Sequence, residues 1–313
     1  YDSQSLDLLL NVPVPTITGY STQMQNIGKV QNRGMEFTLN TKNLTGEFSW
    51  SSNFNISFNK NKVLEVGVDG RPIYGSAANA NNAFITKPGY PIASFYGYKY
   101  IGVFQSEEEL AKYPHLSGDK VGDGRYEDVN KDGVLDQNDK TILGDNNPLF
   151  TAGFSNSFSY KNFTLDIQFT GSYGAEVFSF YKRMCGIYHG DRNGMIEQLG
   201  RWQSKDQPGD GIHFRPTRTP SGWQRDPSSA WVQDASYLRL RNLTLGYNFD
   251  QKVLDKMKMK GLRLYVTGQN LFTITNYVGY DPETSSESGL AQGGDYLGYP
   301  AARSFIIGAN ITF

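Results

Sequence analysis

The chain has 313 residues, a formal net charge of −1 and a mean hydropathy of −0.51. No apolar run reaches the roughly 18 residues of a transmembrane helix, so such a helix is excluded, and the balanced charge gives no electrostatic case for nucleic-acid binding. Cys185 is the single cysteine, which excludes an intrachain disulfide. Aromatic residues make up 14% of the chain and glycine occurs 34 times, whereas hydrophobic residues reach only 38%. This composition predicts extensive β structure.

Alternation between apolar and polar residues is the clearest pattern along the chain. Between Trp50 and Asn59, for example, Phe54, Ile56 and Phe58 alternate with serine and asparagine. Because successive side chains of a strand point to opposite faces, this period of two predicts β-strands. Their length, roughly 10 to 13 residues, exceeds the ~5–6 usual in globular sheets and suits the ~9–11 needed to cross a bilayer. Eight strands are predicted, at 5–12, 33–44, 48–60, 150–160, 163–174, 236–249, 262–276 and 303–313.

The alternation changes phase within two of the later strands. Two leucines before Arg241 have the opposite parity from two leucines after it. We therefore expect a β-bulge or a membrane-edge crossing near Arg241. The strand predicted at 262–276 changes parity in the same way before Leu271.

Short turns and long loops alternate between the predicted strands. Tight hairpin turns are predicted at 43–48 and 160–163, and a longer turn with a short helix at 250–261. Long polar loops are predicted at 13–31, 61–149, 175–235 and 278–302. Since outer-membrane barrels have short periplasmic turns and long extracellular loops, the sequence predicts an all-β fold, an antiparallel transmembrane β-barrel segment. A soluble β-sandwich or β-helix is the alternative, and it predicts shorter strands and no such alternation of loop length.

The stretch DVNKDGVLDQND, from Asp128 to Asp139, has the residue spacing of an EF-hand calcium loop. Gly133 stands at position 6, where that loop turns sharply. Oxygen ligands are predicted at positions 1, 3, 5, 7, 9 and 12, which are Asp128, Asn130, Asp132, the carbonyl of Val134, Asp136 and Asp139. No clear amphipathic helices flank the loop, so Ca²⁺ is expected to hold its shape rather than to signal. Mg²⁺ and a plain acidic turn stay open as alternatives.

No arrangement of residues typical of catalysis occurs in the chain. There is no Ser-His-Asp order, no HExxH motif and no phosphate-binding glycine loop. His115, His189 and His213 are scattered and lack metal-ligand spacing. The chain is therefore predicted not to be an enzyme.

Several long motifs carry a resemblance to a known family. They are DLLLNVPVPTITGYSTQMQNIGKVQNRGMEFTLN at 7–40, DVNKDGVLDQNDKTILGDNNP at 128–148, YLRLRNLTLGYNF at 237–249, LRLYVTGQNLFTITNYVGYDPE at 262–283 and YPAARSFIIGANITF at 299–313. With these motifs in this order, the chain resembles the C-terminal barrel portion of the SusC/RagA-type TonB-dependent transporters of the Bacteroidetes outer membrane. The terminal Phe313 is similar to the aromatic residue that the barrel-assembly machinery reads.

The resemblance implies a complete barrel of about 22 strands, an N-terminal plug domain, and a TonB box through which TonB supplies energy. It also implies a SusD-like lipoprotein that closes over the barrel as a lid, with oligosaccharide or peptide as cargo. This chain accounts for only about eight strands. The plug, the TonB box and the remaining strands are therefore expected outside the 313 residues, and the chain is expected to be a fragment or one part of a cleaved assembly.

Aromatic residues in the predicted loops are the candidates for contact with cargo or lid, because sugar rings stack on aromatic faces. They are Tyr188, Trp223, Tyr296 and Tyr299. The alternative is that each belongs to an interfacial belt or to a loop core. Polar strand residues are expected to line a hydrated interior, or merely to face water and plug: Asn53, Asn55, Asn162, Asp166 and Gln168. The alternative function is a non-transporting outer-membrane or surface β protein that binds a partner through its loops.

Overall fold

The computed structural model describes most of the chain, with only the backbone described for 7–13 and 22–27. The described residues are 1–13, 22–67, 70–77, 80–186, 193–216, 226–283 and 289–313. None of the described helices has both the length and the apolar character needed to span a membrane.

Eight long antiparallel strands form one continuous sheet, as the alternation predicts. They are β1 (Asp2–Pro13), β2 (Thr22–Leu44), β3 (Phe48–Glu65), β10 (Phe150–Tyr160), β11 (Phe163–Tyr173), β14 (Tyr237–Asn248), β15 (Gly261–Thr275) and β17 (Ser304–Thr312). Each strand pairs with the next one in this order, so β1 and β17 are the two edges of the sheet in the described part of the chain. This up-and-down order is that of a barrel wall.

The loop predicted at 13–31 is wrong, because most of it is strand. β1 and β2 remain paired as far as Pro13 opposite Thr22. The sequence from Thr22 to Gln31 is rich in amide and small polar residues, and its hydropathy hardly alternates. Strand pairing depends on backbone hydrogen bonds as well as on side chains, so the hydropathy pattern alone underestimates the length of β2.

The β-bulge expected near Arg241 is confirmed. Against β11, Gln168 is opposite Asn242 but Phe169 is opposite Leu240, which leaves Arg241 as an extra residue. The register against β15 shifts at the same place, where Asn270 has a φ of 51°. One extra residue on a strand reverses the faces of the side chains beyond it, which explains the change of parity in the sequence.

The strand register divides the sheet into an apolar and a polar face. On one face Phe54 lies opposite Phe154, which lies opposite Phe169. The apolar face is not covered by protein in the described residues: Phe37 is 56% exposed and Ile307 84%. The next residues along the same strands carry the polar face, and their cross-strand neighbours are Asn53, Ser155 and Gln168.

Two rows of aromatic side chains border the apolar face. The lower row lies beside the tight turns and comprises Phe48, Trp50, Phe158, Tyr160, Phe163 and Tyr247. The upper row comprises Phe58, Phe150 and Tyr173. Phe48 and Phe58 are ten positions apart on β3, which is about 33 Å along a strand and about 25 Å in height at a tilt near 40°. That is the height of the apolar band of a transmembrane barrel.

Connections at the lower end of the sheet are short, as predicted. The β2–β3 and β10–β11 turns span 45–47 and 161–162, and the β14–β15 turn contains a short helix, Gln251–Met257, that ends at Lys258 with a φ of 56°. At the upper end three long excursions, 66–149, 174–236 and 276–303, leave the sheet.

These excursions contain the remaining elements. They are β4 (Ile73–Ala77), β5 (Ala80–Thr86), β6 (Ser94–Gly97), β7 (Tyr100–Val103), α1 (Glu107–Lys112), β8 (Gly124–Tyr126), β9 (Thr141–Gly144), β12 (Glu176–Ser179), α2 (Phe180–Gly186), β13 (Val232–Asp234) and β16 (Gly294–Asp295), with the Gln251–Met257 helix of the lower end as α3. Three small sheets arise from them: β4-β5-β6-β9, β13-β12-β16 and β7-β8.

The three excursions share one hydrophobic core. Phe84 and Phe95 of the first excursion pack edge to face at 5.7 Å, and both contact Phe178 of the second. The third excursion joins through Gly294, which pairs with Phe178, and through the buried Ala291. The excursions therefore form a single module above the sheet.

Removing the ring at the centre of this core tests whether the module is one cooperative unit. We expect Phe178→Ala to destabilise it by about 3–5 kcal/mol, since an apolar cavity would replace a buried ring. Limited proteolysis should then cut all three excursions faster while the sheet stays resistant. Ile196→Ala, at a residue that is already exposed, is the control. Faster cutting of the second excursion alone would contradict the shared core.

Candidate functional site

The predicted metal-binding loop lies in the first excursion, between β8 and β9. Leu135 anchors it, because this side chain is buried against Tyr98 and Tyr126. The loop ends in a turn of 3₁₀ helix, Gln137–Asp139. The sequence motif therefore sits on the module, at the end of the sheet away from the tight turns.

Carboxylates fold the loop by accepting hydrogen bonds from its backbone. Asp128 accepts from the N–H groups of Lys131 at 2.7 Å and of Gly133 at 2.9 Å. Asp132 accepts from the N–H of Val134 at 2.8 Å. Gly133 has a φ of 84°, a left-handed conformation that suits glycine. The motif thus folds into the tight turn that its spacing predicts.

Asp139, the last residue of the motif, closes the loop on itself. Its side chain is fully buried. One oxygen accepts from the N–H of Val129 at 2.9 Å, and the other accepts from the N–H of Asp136 at 2.8 Å. The carboxylate therefore joins both ends of the loop.

The donor chemistry of this loop fits a hard cation. Its side-chain ligand atoms are carboxylate and amide oxygens, which Ca²⁺ prefers, and an oxygen that accepts one backbone N–H has a further lone pair. In the part of the chain that the structure describes, however, no three His, Cys, Asp or Glu side chains lie close enough together to hold a metal ion. Bound calcium stays a prediction.

Two of the four aromatic candidates lie on the third excursion. Tyr296 is 60% exposed and Tyr299 is 95% exposed, so both rings are open to a ligand or a partner. Tyr188 and Trp223 lie outside the described residues. The structure thus places one pair of the predicted residues on the same loop, three positions apart.

An ion-pair network that the sequence does not predict holds this excursion to the sheet. Arg239 of β14 has a side chain only 3% exposed. Its guanidinium donates to Asp281 at 2.6 Å and to Glu283 at 2.5 Å. Glu283 also accepts from Arg241 at 2.6 Å and from the hydroxyl of Tyr237 at 2.7 Å. Two arginines among the leucines of YLRLR are the signal that could have indicated it.

Asp281 also closes the base of the excursion. Its second oxygen accepts from the N–H of Ala301 at 3.0 Å. Burial acts to raise the pKa of Asp281, but the hydrogen bonds from Ala301, Arg239 and Glu283 outweigh it, so the pKa lies below its usual value. Higher in the loop, the hydroxyl of Tyr277 donates to the carboxylate of Asp295. Burial first, and that carboxylate second, raise the pKa of Tyr277.

Most of the predicted polar strand residues do line the polar face. Asn53 donates to Asn40 at 2.5 Å, and Ser157 donates to Asp166 at 2.6 Å. Asn162 is the exception, because it lies in the 161–162 turn and donates to Asp250 at 2.7 Å. The face is thus rich in amide, hydroxyl and carboxylate groups.

Comparisons with known proteins agree with this architecture. The chain is 36% identical to TonB-dependent receptor P3 of Formosa agariphila, covering 100% of this chain and 32% of that protein. It is 34% identical to TonB-dependent receptor P26 of the same organism, with coverages of 100% and 32%. It is 29% identical to TonB-dependent receptor SusC of Bacteroides thetaiotaomicron, with coverages of 100% and 29%. No family model matches the chain.

Solved structures show the same fold. The RagAB peptide transporter matches with a TM-score of 0.80 at 22% identity, covering 100% of this chain and 32% of that chain. The RagAB peptide importer in its closed-closed state matches with a TM-score of 0.77 at the same identity, covering 33% of that chain. The chain spans about a third of the length of the curated relatives it matches. These relatives are receptors and transporters by name, which fits the prediction that the chain is not an enzyme.

Acid should release the third excursion through Asp281. A carboxylate whose pKa is lowered by folding contributes stability above its unfolded pKa, about 3.9, and loses it as pH falls through the lower folded value. We expect an acid-active protease to cut 289–303 only below about pH 4 in the native chain, and Asp281→Asn to make that segment sensitive at neutral pH.

Asp255→Asn is the matched control, because Asp255 lies on the helix at the opposite end of the sheet. Sensitivity of the segment 289–303 that is the same at pH 7 in the native chain and in Asp281→Asn would contradict the role of the ion-pair network.

Proposed function

Because the chain is homologous over its whole length to part of the TonB-dependent receptors that include SusC, we propose that it forms barrel wall and extracellular loops of an outer-membrane importer. Import would be driven through TonB, and a SusD-like lipoprotein would serve as lid. The plug domain and the rest of the barrel would complete the pore.

One observation carries this proposal. The apolar face of the sheet is exposed and is bordered by two aromatic rows, which lie about 25 Å apart in height on the estimate given above. A soluble protein would cover such a face, whereas a bilayer solvates it. The opposite face carries the hydrogen-bonding groups that a hydrated interior needs.

The orientation follows from the loops. Tight turns are periplasmic and long excursions extracellular in outer-membrane barrels, so the loop module would stand outside the cell, where a lid would dock. The relatives named RagAB are a peptide transporter, and tyrosines and amides also suit oligosaccharides. Oligosaccharide or peptide is therefore the cargo that we propose.

Calcium would have a structural role in the module. Asp128, Asn130, Asp132, Asp136 and Asp139, with the carbonyl of Val134, would hold it, and Mg²⁺ is the alternative. The ion would neutralise the carboxylates that the loop brings together, and it would stabilise the folded loop by binding that state preferentially.

Import is tested in cells that make the full-length protein. We expect these cells to deplete labelled oligosaccharides or peptides from the medium, and a protonophore to abolish the depletion, because TonB draws on the proton gradient. Tyr296→Ala with Tyr299→Ala should lower uptake roughly five- to tenfold, since one aromatic anchor contributes about 1–2 kcal/mol at an interface. Mass spectrometry of the medium measures the loss.

Tyr160→Ala is the control, because Tyr160 is similarly exposed but lies at the lower end of the sheet. Unchanged uptake in the double variant would remove the tyrosines from the cargo path. Absence of protonophore-sensitive uptake for both classes of cargo, in cells where the protein reaches the outer membrane, would favour a surface protein that only binds a partner.

Calcium binding is tested by titrating the chelator-treated full-length protein with Ca²⁺ in a calorimeter. We expect one site, with Asp132→Ala and Asp136→Ala together abolishing the heat of binding and loosening 113–140 to proteases. The barrel itself should stay in the membrane, because the loop lies outside it.

Asp250→Ala, a carboxylate of the lower turn, is the control for general loss of charge. A double variant that binds Ca²⁺ like the native protein, or that loses the whole barrel, would contradict a structural calcium site. Equal heats with Mg²⁺ would identify that ion instead.

A further inference from the structure

A patch of basic residues lies directly above the upper aromatic row. On β2 and β3, Met35 pairs with Phe58 on the apolar face, and two positions further up Arg33 pairs with Lys60. Since side chains two apart share a face and stand about 6.6 Å apart along the strand, the two cations lie on the lipid side, just beyond the apolar band. Lys62 follows one step higher. We call Arg33, Lys60 and Lys62 the cationic patch.

The cationic patch is poorly neutralised by the protein. Like charges directly opposite each other on paired strands are unfavourable, and Arg33 and Lys60 are such a pair. Asp2 approaches Arg33 only to 4.0 Å and also accepts from Gln31 at 2.7 Å. In the described part of the chain, neither Lys60 nor Lys62 has a carboxylate within ion-pair distance. This arrangement is suited to an external anion.

A cavity of about 1030 Å³ opens at the patch, beside the point where β3 continues above the end of β10. Its charged lining comprises the three cations and two carboxylates, Asp2 and Asp145. Its apolar lining includes Met35, Phe58 and Leu149. The cavity is therefore cationic towards the loops and apolar towards the membrane band.

A second, apolar groove of about 670 Å³ lies next to it on the lipid side. Ala152 and Gly171, which are paired across β10 and β11, form a low floor because they have almost no side chain. Phe150 and Tyr173 stand above this floor, and Phe154 and Phe169 below it. We call this the acyl groove. The rings of Phe58, which lines the cavity, and Phe150, which lines the groove, are 6.0 Å apart.

We propose that this outer wall binds a phosphate-bearing lipid of the outer leaflet, with its phosphate on the cationic patch and an acyl chain in the acyl groove. The inference rests on the proposed function, because it requires that the apolar face meets the bilayer. It adds a specific ligand to a surface that import itself does not use.

The chemistry favours such a lipid over the other occupants. A free anion would use the patch but leave the groove empty, and a neutral lipid would fill the groove but leave the cations without a counter-ion. Arginine and lysine together suit a phosphate, whose several oxygens accept charge-assisted hydrogen bonds. The groove begins one strand away from Lys60, or roughly 4.8 Å, so a single lipid molecule spans both features.

The test uses the full-length protein, purified in detergent and stripped of lipid, and three probes: dioleoyl phosphatidic acid, dioleoylglycerol and inorganic phosphate. Binding is measured by native mass spectrometry or by fluorescence displacement. We expect phosphatidic acid to bind more tightly than either other probe. Arg33→Gln, Lys60→Gln and Lys62→Gln together should weaken it about a hundredfold, since each basic side chain contributes about a fivefold factor at an anionic lipid surface.

Two further variants keep the result specific. Ala152→Phe, which fills the acyl groove, should weaken phosphatidic acid and dioleoylglycerol alike. Lys252→Gln, Lys256→Gln and Lys260→Gln remove the same charge from exposed residues of the lower turn and should bind phosphatidic acid like the native protein. Heat-modified migration on gels verifies that every variant is folded.

The proposal is overturned if the triple variant of the patch binds phosphatidic acid normally, or if the lower-turn variant loses as much affinity. It is also overturned if dioleoylglycerol or inorganic phosphate binds as tightly as phosphatidic acid. Uptake by cells separates this result from the proposed function: the patch variant should import cargo normally. Loss of import by the native protein would refute import and leave the lipid measurement intact.

Discussion

The backbone ladder of the eight-stranded sheet is the constraint on which the rest of the structure depends. Because it has a period of two, each rung places one aromatic or aliphatic row on one side and one amide or hydroxyl row on the other, as with Phe54–Phe154–Phe169 and Asn53–Ser155–Gln168. A slip of one residue would exchange the two faces. The bulge at Arg241 is therefore consequential, since it is the place where β14 changes phase while both faces stay chemically uniform.

Above the ladder, stability has a different origin. The loop module is held by buried rings, chiefly those of Phe84, Phe95 and Phe178, and by polar closures at its margins. Arg239 is buried yet charged, and it has both Asp281 and Glu283 as partners, which is the condition under which a buried ion is tolerated. The Asp128–Asp139 turn follows the same rule at smaller scale, because its one buried carboxylate is saturated by backbone N–H groups.

Sequence reasoning recovered what is local and periodic. The strand at Phe163–Tyr173, the turn at 161–162 and the bulge at Arg241 each leave a signature within a few residues. It missed what is distant or not periodic. Arg239 and Asp281 are 42 residues apart, and nothing in either neighbourhood specifies the other. The extension of β2 towards Thr22 was missed because its pairing is carried by backbone groups that hydropathy does not report. The aromatic candidates Tyr296 and Tyr299 share a loop, but the sequence does not indicate how far each is exposed.

The common core of the excursions has an evolutionary consequence. Phe84, Phe178 and Gly294 come from three separate connections of the barrel, yet each is a neighbour of another across the same core. Ordinary barrel loops can diverge one at a time, since each protrudes alone. Here a replacement in one connection alters the surface against which the others fit. The three connections are therefore expected to be inherited, and exchanged between relatives, as one cassette.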